Sequence, residues 1–243
     1  MIRRLSEMKI IIIVVAILSF NIRVDAQNYA IIKDSDGFTN VRKEGNSKSA
    51  VVGKIYTGGI FSYESDTNTH ARKSEWVEIY QMTENGSFVE GYVHRSRILP
   101  LSSLKNISAA KPDANSAVVN NDSITIKVTA AKFIAKNHKL SHMRSSPYYD
   151  KIDGKKIWGT DGEIPKKAIT GLSIIINGSA LSIPTSAIDN LFEPNFYTLR
   201  AYFGSANTFY IQMYNSDGAG GYTVIWIIKN GKYQKRYLDN GEA

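Results

Sequence analysis

The sequence predicts a mostly β protein built as two small domains. Three observations carry this: short strand-type runs recur through 28–99 and 123–243, Asn-Gly and Asp-Gly pairs punctuate them, and helical periodicity is almost absent. Only Gly, Asn and Asp readily accept the positive φ angles of a two-residue hairpin turn, so these pairs have a mechanical meaning. They fall at Asn85, Asn177, Asn230 and Asn240, and at Asp36, Asp153, Asp161 and Asp217, each followed by Gly.

The first residues read as an export signal. Arg3, Arg4 and Lys9 precede an apolar run of eleven residues, "IIIIVVAILSF", and Val24 and Ala26 are the small residues before a cleavage point ahead of Gln27. Spanning a membrane takes about twenty apolar residues, so a signal over 1–26 is favoured over an anchor, with Met8 as a second possible start. The expected location is exported, periplasmic or extracellular, with no membrane span once the signal is removed. The chain has no cysteine, which rules out disulfides, thiol nucleophiles and thiolate metal sites. Removing 1–26 takes four basic and two acidic residues from totals of 30 and 22 and leaves a net charge of +6. The excess lies in 123–243, with fifteen basic against nine acidic residues, while 28–99 carries nine of each. Such a balance suits an anionic envelope polymer, a membrane surface or an acidic protein, or is simply a soluble basic surface. Nucleic acid is not expected as a partner in that compartment.

In 27–99 the strand-type stretches "GFTNVRK", "AVVGKIY", "EWVEIY" and "GYVHRSRI" follow one another at short intervals. Val41, Val52, Ile55, Phe61, Trp76, Val77, Ile79 and Val93 are the expected core. About 70 residues of short strands must close or cover their edges, which a small barrel does. Gly37, Asn40, Val41, Arg42, Val52, Gly53, Ile55, Gly59, Trp76, Val77, Gly91, Tyr92, Val93, Ser96 and Arg97 stand in the order and spacing of the bacterial SH3-like (SH3b) domain. The segment 27–99 resembles that family over nearly its whole length. The resemblance implies an SH3-like barrel and binding, with peptidoglycan or another envelope polymer as partner. It transfers no site residue by residue. From side-chain type alone, Tyr63, Tyr92 and Arg95 are candidate ligand contacts, while Arg42 is expected first to tie loop carbonyls.

Residues 100–122, rich in Ser, Ala and Asn with two prolines, read as a linker. The second domain, 123–243, is expected to be a hairpin-built sheet or sandwich. Its hairpins turn at Asn177-Gly178, at 204–207 and at Asn230-Gly231, and its one short helix lies over 184–192.

No catalytic or cofactor chemistry is legible, and the expectation is a non-enzymatic protein without cofactor or metal. His138 and His142 stand four apart, as in a helical zinc motif, yet Lys139 occupies the place of the general-base Glu in a basic surrounding. No nucleophile-elbow pattern occurs. Asp161 and Glu163 are the only carboxylate pair with a conceivable catalytic role, and two carboxylates on a turn are more often solvated.

The stretch "NSDGAGGY", 215–222, runs straight into the apolar "TVIWIIK". It lacks the Lys-Ser/Thr ending and the following helix of a phosphate loop, and it has one carboxylate where a calcium loop has several. A structural turn is the plain expectation. The sharper one is a partner-binding loop of Asp217, Gly218, Gly220, Gly221 and Tyr222 together with Trp158 and Asp161. In that case the protein is an inhibitor or immunity protein blocking a cell-wall hydrolase. With "WGTDG", "INGS", "LFEP" and "DGAGGYTVIWIIKNGKY" in this order, the second half resembles a small β domain of uncharacterised exported bacterial proteins, a resemblance that implies no particular activity.

Overall fold

A computed structural model of the chain describes residues 28–64, 74–82, 88–107, 112–216 and 218–240. The signal-like segment 1–26 and Asp217 lie outside the described residues. The first group of strands is β1 (Asn28–Ile32), β2 (Phe38–Arg42), β3 (Val51–Tyr56), β4 (Ile60–Tyr63), β5 (Trp76–Met82), β6 (Phe88–His94) and β7 (Ile98–Pro100). Then come β8 (Lys105–Ile107), β9 (Ser116–Asn120), β10 (Ile124–Lys132), β11 (Leu140–His142), β12 (Tyr149–Ile152) and β13 (Lys155–Lys156). The chain continues with β14 (Lys167–Ile176), β15 (Ser179–Ala180), β16 (Arg200–Phe203), β17 (Thr208–Asn215), β18 (Tyr222–Lys229) and β19 (Lys232–Asp239). The protein is mostly β, and the described helical segments are short 3-10 turns. Among the described residues no helix is long and apolar enough to cross a membrane.

The first seven strands form one antiparallel sheet in the order β3-β2-β6-β5-β4-β1-β7. Its inner face gathers Ala30, Ile32, Val41, Ile55, Phe61, Val77, Ile79 and Val93 into one cluster, each no more than 3% exposed. Every member comes from this half, so the sheet buries that face by curling over itself. No ladder joins β3 to β7 among the described residues, so hydrogen bonds do not draw a closed ring. Arg42 reaches the Ser49 carbonyl at 2.7 Å, the loop tie expected of it.

Two of the expected core residues lie elsewhere, for local reasons. Val41 pairs with Gly53 and Arg42 with Val51, so Val52 is the extra residue of a β-bulge and is 49% exposed. Trp76 precedes the inward Val77, and the two-residue period of a strand turns it to the outer face, half-buried.

The second half is a sandwich. A four-stranded sheet, β15-β14-β10-β9, faces a five-stranded one, β19-β18-β17-β16-β8. Val119, Ile126, Val128, Leu172 and Ile174 on one side meet Ile211, Met213, Val224, Trp226 and Ile228 on the other. The Trp226 indole N–H donates to the Ala187 carbonyl at 2.6 Å, which satisfies its one donor inside this core. The turns at Asn177-Gly178, Asn230-Gly231 and Asp153-Gly154 all take positive φ at both residues. Ala206 and Asn207 do the same at the tip between β16 and β17. The helix expected over 184–192 shrinks to one 3-10 turn, Thr185–Ala187. Leu191 and Phe192 instead form β-bridges with Trp158 and Ala168, which a helix would forbid.

Of residues 100–122, the described ones, 100–107 and 112–122, contribute strands to the sheets, unlike the linker their composition implies. Pro100 ends β7, Leu101 is 1% exposed, β8 extends the five-stranded sheet against β16, and β9 pairs with β10. β8 and β9 are the outermost strands of their sheets.

β18 joins the two halves. Tyr222, Val224, Trp226 and Ile228 point into the sandwich. The alternate residues Ile225 and Ile227 point the other way and meet Tyr29, Ile31, Ile60 and Leu101 of the first half, with Tyr202, Tyr210 and Tyr237. β1 divides likewise: Ala30 and Ile32 go into its own sheet's core, Tyr29 and Ile31 into the contact with the second half. The rings of Tyr29 and Tyr237 meet edge-on at 6.1 Å. Three β layers are thus stacked, with the five-stranded sheet in the middle.

This placement has a pH consequence. Burial pushes the phenols of Tyr29, Tyr202, Tyr210, Tyr222 and Tyr237 up, and the Asp239 carboxylate adds to it at Tyr29 and Tyr237. Each phenol holds its proton longer in the fold than in the unfolded chain, so the unfolded state releases protons first. Their contribution is fully present below pH ~10 and falls as pH rises above it, by roughly 1.4 kcal/mol per unit and phenol. Alkaline unfolding is expected before about pH 12, with ionisation of these five phenols and the far-UV circular dichroism changing together. Titration of these five phenols near pH ~10 in a chain still folded would contradict the burial.

Candidate functional site

The outer face of β5 and β6 carries a ladder of aromatic and acidic side chains. Val77, Ile79, Gly91 and Val93 point inward, which sends Trp76, Glu78, Tyr80 and Met82 of β5 outward beside His94, Tyr92, Glu90 and Phe88 of β6. Antiparallel register pairs them as Trp76 with His94, Glu78 with Tyr92, Tyr80 with Glu90 and Met82 with Phe88. The Trp76 and His94 rings meet edge-on at 5.3 Å. The Ser96 amide donates to His94 Nδ1 at 3.3 Å, which assigns the ring proton to Nε2.

A loop walls one side of this face. A Cβ on Gly45 would stand 3.0 Å from Trp76 Cβ and 3.5 Å from Tyr92 Cδ1, so the loop between β2 and β3 lies against both rings. On the same face, nearer β1, Tyr29, Ile31 and Ile60 are covered by the second half. Met82 packs against the second half as well, while Trp76, Glu78, Tyr80, Glu90, Tyr92 and His94 are not among the residues it covers.

Its electrostatics are acidic. Burial first, then the carboxylates of Glu78, Glu64 and Glu90, push the Tyr80 phenol up to about 12. Tyr92 is raised by burial and by Glu78, which also shares a hydrogen bond with it. Rings interleaved with carboxylates offer stacking for sugar faces and attraction for amines.

Of the residues expected to bind a ligand, Tyr92 stands in this ladder. Tyr63 does not: it pairs with the inward Ile79 and packs against the core of the first sheet. Burial raises its phenol and the nearby Arg95 charge opposes the rise. The Arg95 Nε–H donates to the Ser74 carbonyl at 2.9 Å, so that guanidinium helps hold the start of β5. Glu78, Tyr80, Glu90 and His94 were not singled out from the sequence. The alternation in "WVEIYQM" is the signal that places Trp76, Glu78 and Tyr80 on one face.

The two glycine-rich loops of the second half meet, but chiefly as packing. Trp158 is 7% exposed and Tyr222 1%, their ring centroids 5.9 Å apart. The Tyr222 hydroxyl donates to the Phe192 carbonyl at 3.0 Å. A Cβ on Gly220 would lie 2.4 Å from the Thr160 carbonyl carbon, and one on Gly221 2.6 Å from the Tyr214 hydroxyl. The Gly221 amide closes a tight turn onto the Gly218 carbonyl at 2.8 Å. Trp158, Gly220, Gly221 and Tyr222 are therefore engaged in packing within the fold. Asp161 and Gly218 remain exposed.

Glu163 is also exposed. The two histidines of the HxxxH spacing part company: His138 bonds to Asp153 at 2.7 Å, while His142 stacks on Tyr149 at 4.2 Å. Among the described residues no group of three or more His, Cys, Asp or Glu is disposed to hold a metal ion. No family model and no curated protein matches the chain.

Proposed function

We propose that this is an exported, non-enzymatic binding protein whose first half engages envelope material, peptidoglycan foremost, through the open face of β5 and β6. The observation that carries the reading is the ladder Trp76–His94, Glu78–Tyr92 and Tyr80–Glu90, aromatic rings interleaved with carboxylates on a part of the face that the second half does not cover. Peptidoglycan presents sugar rings and amine-bearing peptides, which aromatic faces and carboxylates complement. The export-signal pattern and the SH3-like motifs of 27–99 support the same reading. Blocking of a wall hydrolase by the glycine-rich loops is set aside, because four of their residues are engaged in packing.

Co-sedimentation with purified sacculi tests this. The chain 27–243 is expected to pellet, and Trp76→Ala with Tyr92→Ala is expected to lower retention about tenfold or more while far-UV circular dichroism stays unchanged. Equal pelleting of the double variant, or none by the parent chain, would overturn the proposal.

A further inference from the structure

A cavity of about 360 Å³ opens in the second half, where the end of the β10–β14 ladder meets the β12–β13 turn and the segment 185–192. It shares no residue with the β5–β6 face. Its size lies at the small end of ligand sites, about 300–1,000 Å³.

One wall is apolar. Phe133, Ile152 and Phe192 belong to a satellite cluster beside the main core, with Ile169 and Leu191 next to them. Phe133 meets Phe192 edge-on at 5.3 Å and stacks on the His138 ring at 4.6 Å. The imidazole is further fixed by Nδ1, which faces the Asp153 carboxylate at 2.7 Å. A carboxylate only accepts, so Nδ1 carries the proton.

The polar wall is dominated by donors. Both carboxylates that line the cavity are already engaged: Asp153 by His138 and by the Lys139 amide at 2.8 Å, and Asp189 by Lys155 at 2.5 Å. The Lys132 ammonium, by contrast, has no partner among the described residues. Thr170, Thr185 and Asn137 also line the cavity. A preorganised apolar wall beside one uncompensated cation and several hydrogen-bonding groups matches a particular ligand chemistry. An anion alone would leave the rings unused, and an amine would face Lys132.

We propose that this cavity binds a small ligand that joins one anionic group, carboxylate or phosphate, to an apolar body about the size of a single ring. The anion lies against Lys132, with Thr170 and Thr185 beside it, and the body lies along Phe133 and Phe192.

The test is an NMR titration of chain 27–243 with benzoate, phenyl phosphate, inorganic phosphate and benzylamine. Saturable shifts at Phe133, His138, Thr170 and Thr185 are expected with benzoate or phenyl phosphate, and which of the two binds tighter identifies the anion. Inorganic phosphate and benzylamine are expected to give none at equal concentration. Lys132 is exposed, so Lys132→Ala should fold and weaken binding about tenfold. Thr170→Val, also at an exposed position, is the second variant and is expected to weaken it less. Benzylamine binding as well as benzoate, no saturable shift with either aromatic anion, or unchanged affinity in Lys132→Ala would each overturn the proposal.

Discussion

Gly220→Val destabilises the protein by about 2–4 kcal/mol, whereas Gly218→Ala, two residues away, changes stability by less than about 1 kcal/mol. A Cβ at Gly220 would stand 2.4–2.7 Å from the Thr160 carbonyl carbon, Cα and N, and backbone cannot swing aside as a side chain can. At Gly218 the same atom meets nothing within 4 Å, and no positive φ penalises alanine. Urea unfolding of the two variants checks the contrast. Near-equal midpoints would mean that the two loops are not pressed together. The sacculus assay on Gly218→Ala should be unaffected, because binding is assigned to the other half.

The second large effect is expected at β18. Ile225→Asp costs about 4 kcal/mol or more, because it leaves an unpaired carboxylate between the middle sheet and the first half, where Ile225 is 0% exposed. Ile175→Asp is the control. Ile175 is 37% exposed on the outer face of the four-stranded sheet, and the change there should cost less than about 1 kcal/mol. Thermal unfolding of both variants checks the difference, and similar midpoints would contradict burial of Ile225 by the first half.

The fold class was legible because its signals are local. Asn177-Gly178 and Asn230-Gly231 turn where their backbone preferences require, and the tip at 204–207 falls between the strands expected on either side. What escaped depends on register or on distant chain. Val52 is exposed because of a bulge, which a list of apolar residues cannot reveal. Trp76 was placed in the core with Val77, although adjacent strand residues cannot share a face; strict alternation would have put it in the ladder with Glu78 and Tyr80. The polar composition of 100–122 hid β8 and β9, whose partners lie far along the chain or across a short turn.

The apolar run of β18 was the strongest unread signal. An antiparallel strand at a solvated face alternates, and one that does not alternate has both faces covered. "YTVIWIIK" therefore announces two covering layers, but nothing local says that one of them is the first half of the chain. Of the candidate site, Tyr92 was legible by type. Its acidic neighbours came into view only with the pairing of β5 and β6.

The central claim is that the two halves form one body, with the middle sheet covered on both sides. Scanning calorimetry of chain 27–243 tests it most directly. One endotherm is expected, with calorimetric and van't Hoff enthalpies equal, and Ile225→Asp should shift that whole endotherm downward. Two separable transitions, of which Ile225→Asp moved only one, would contradict the account and return the halves to independent domains.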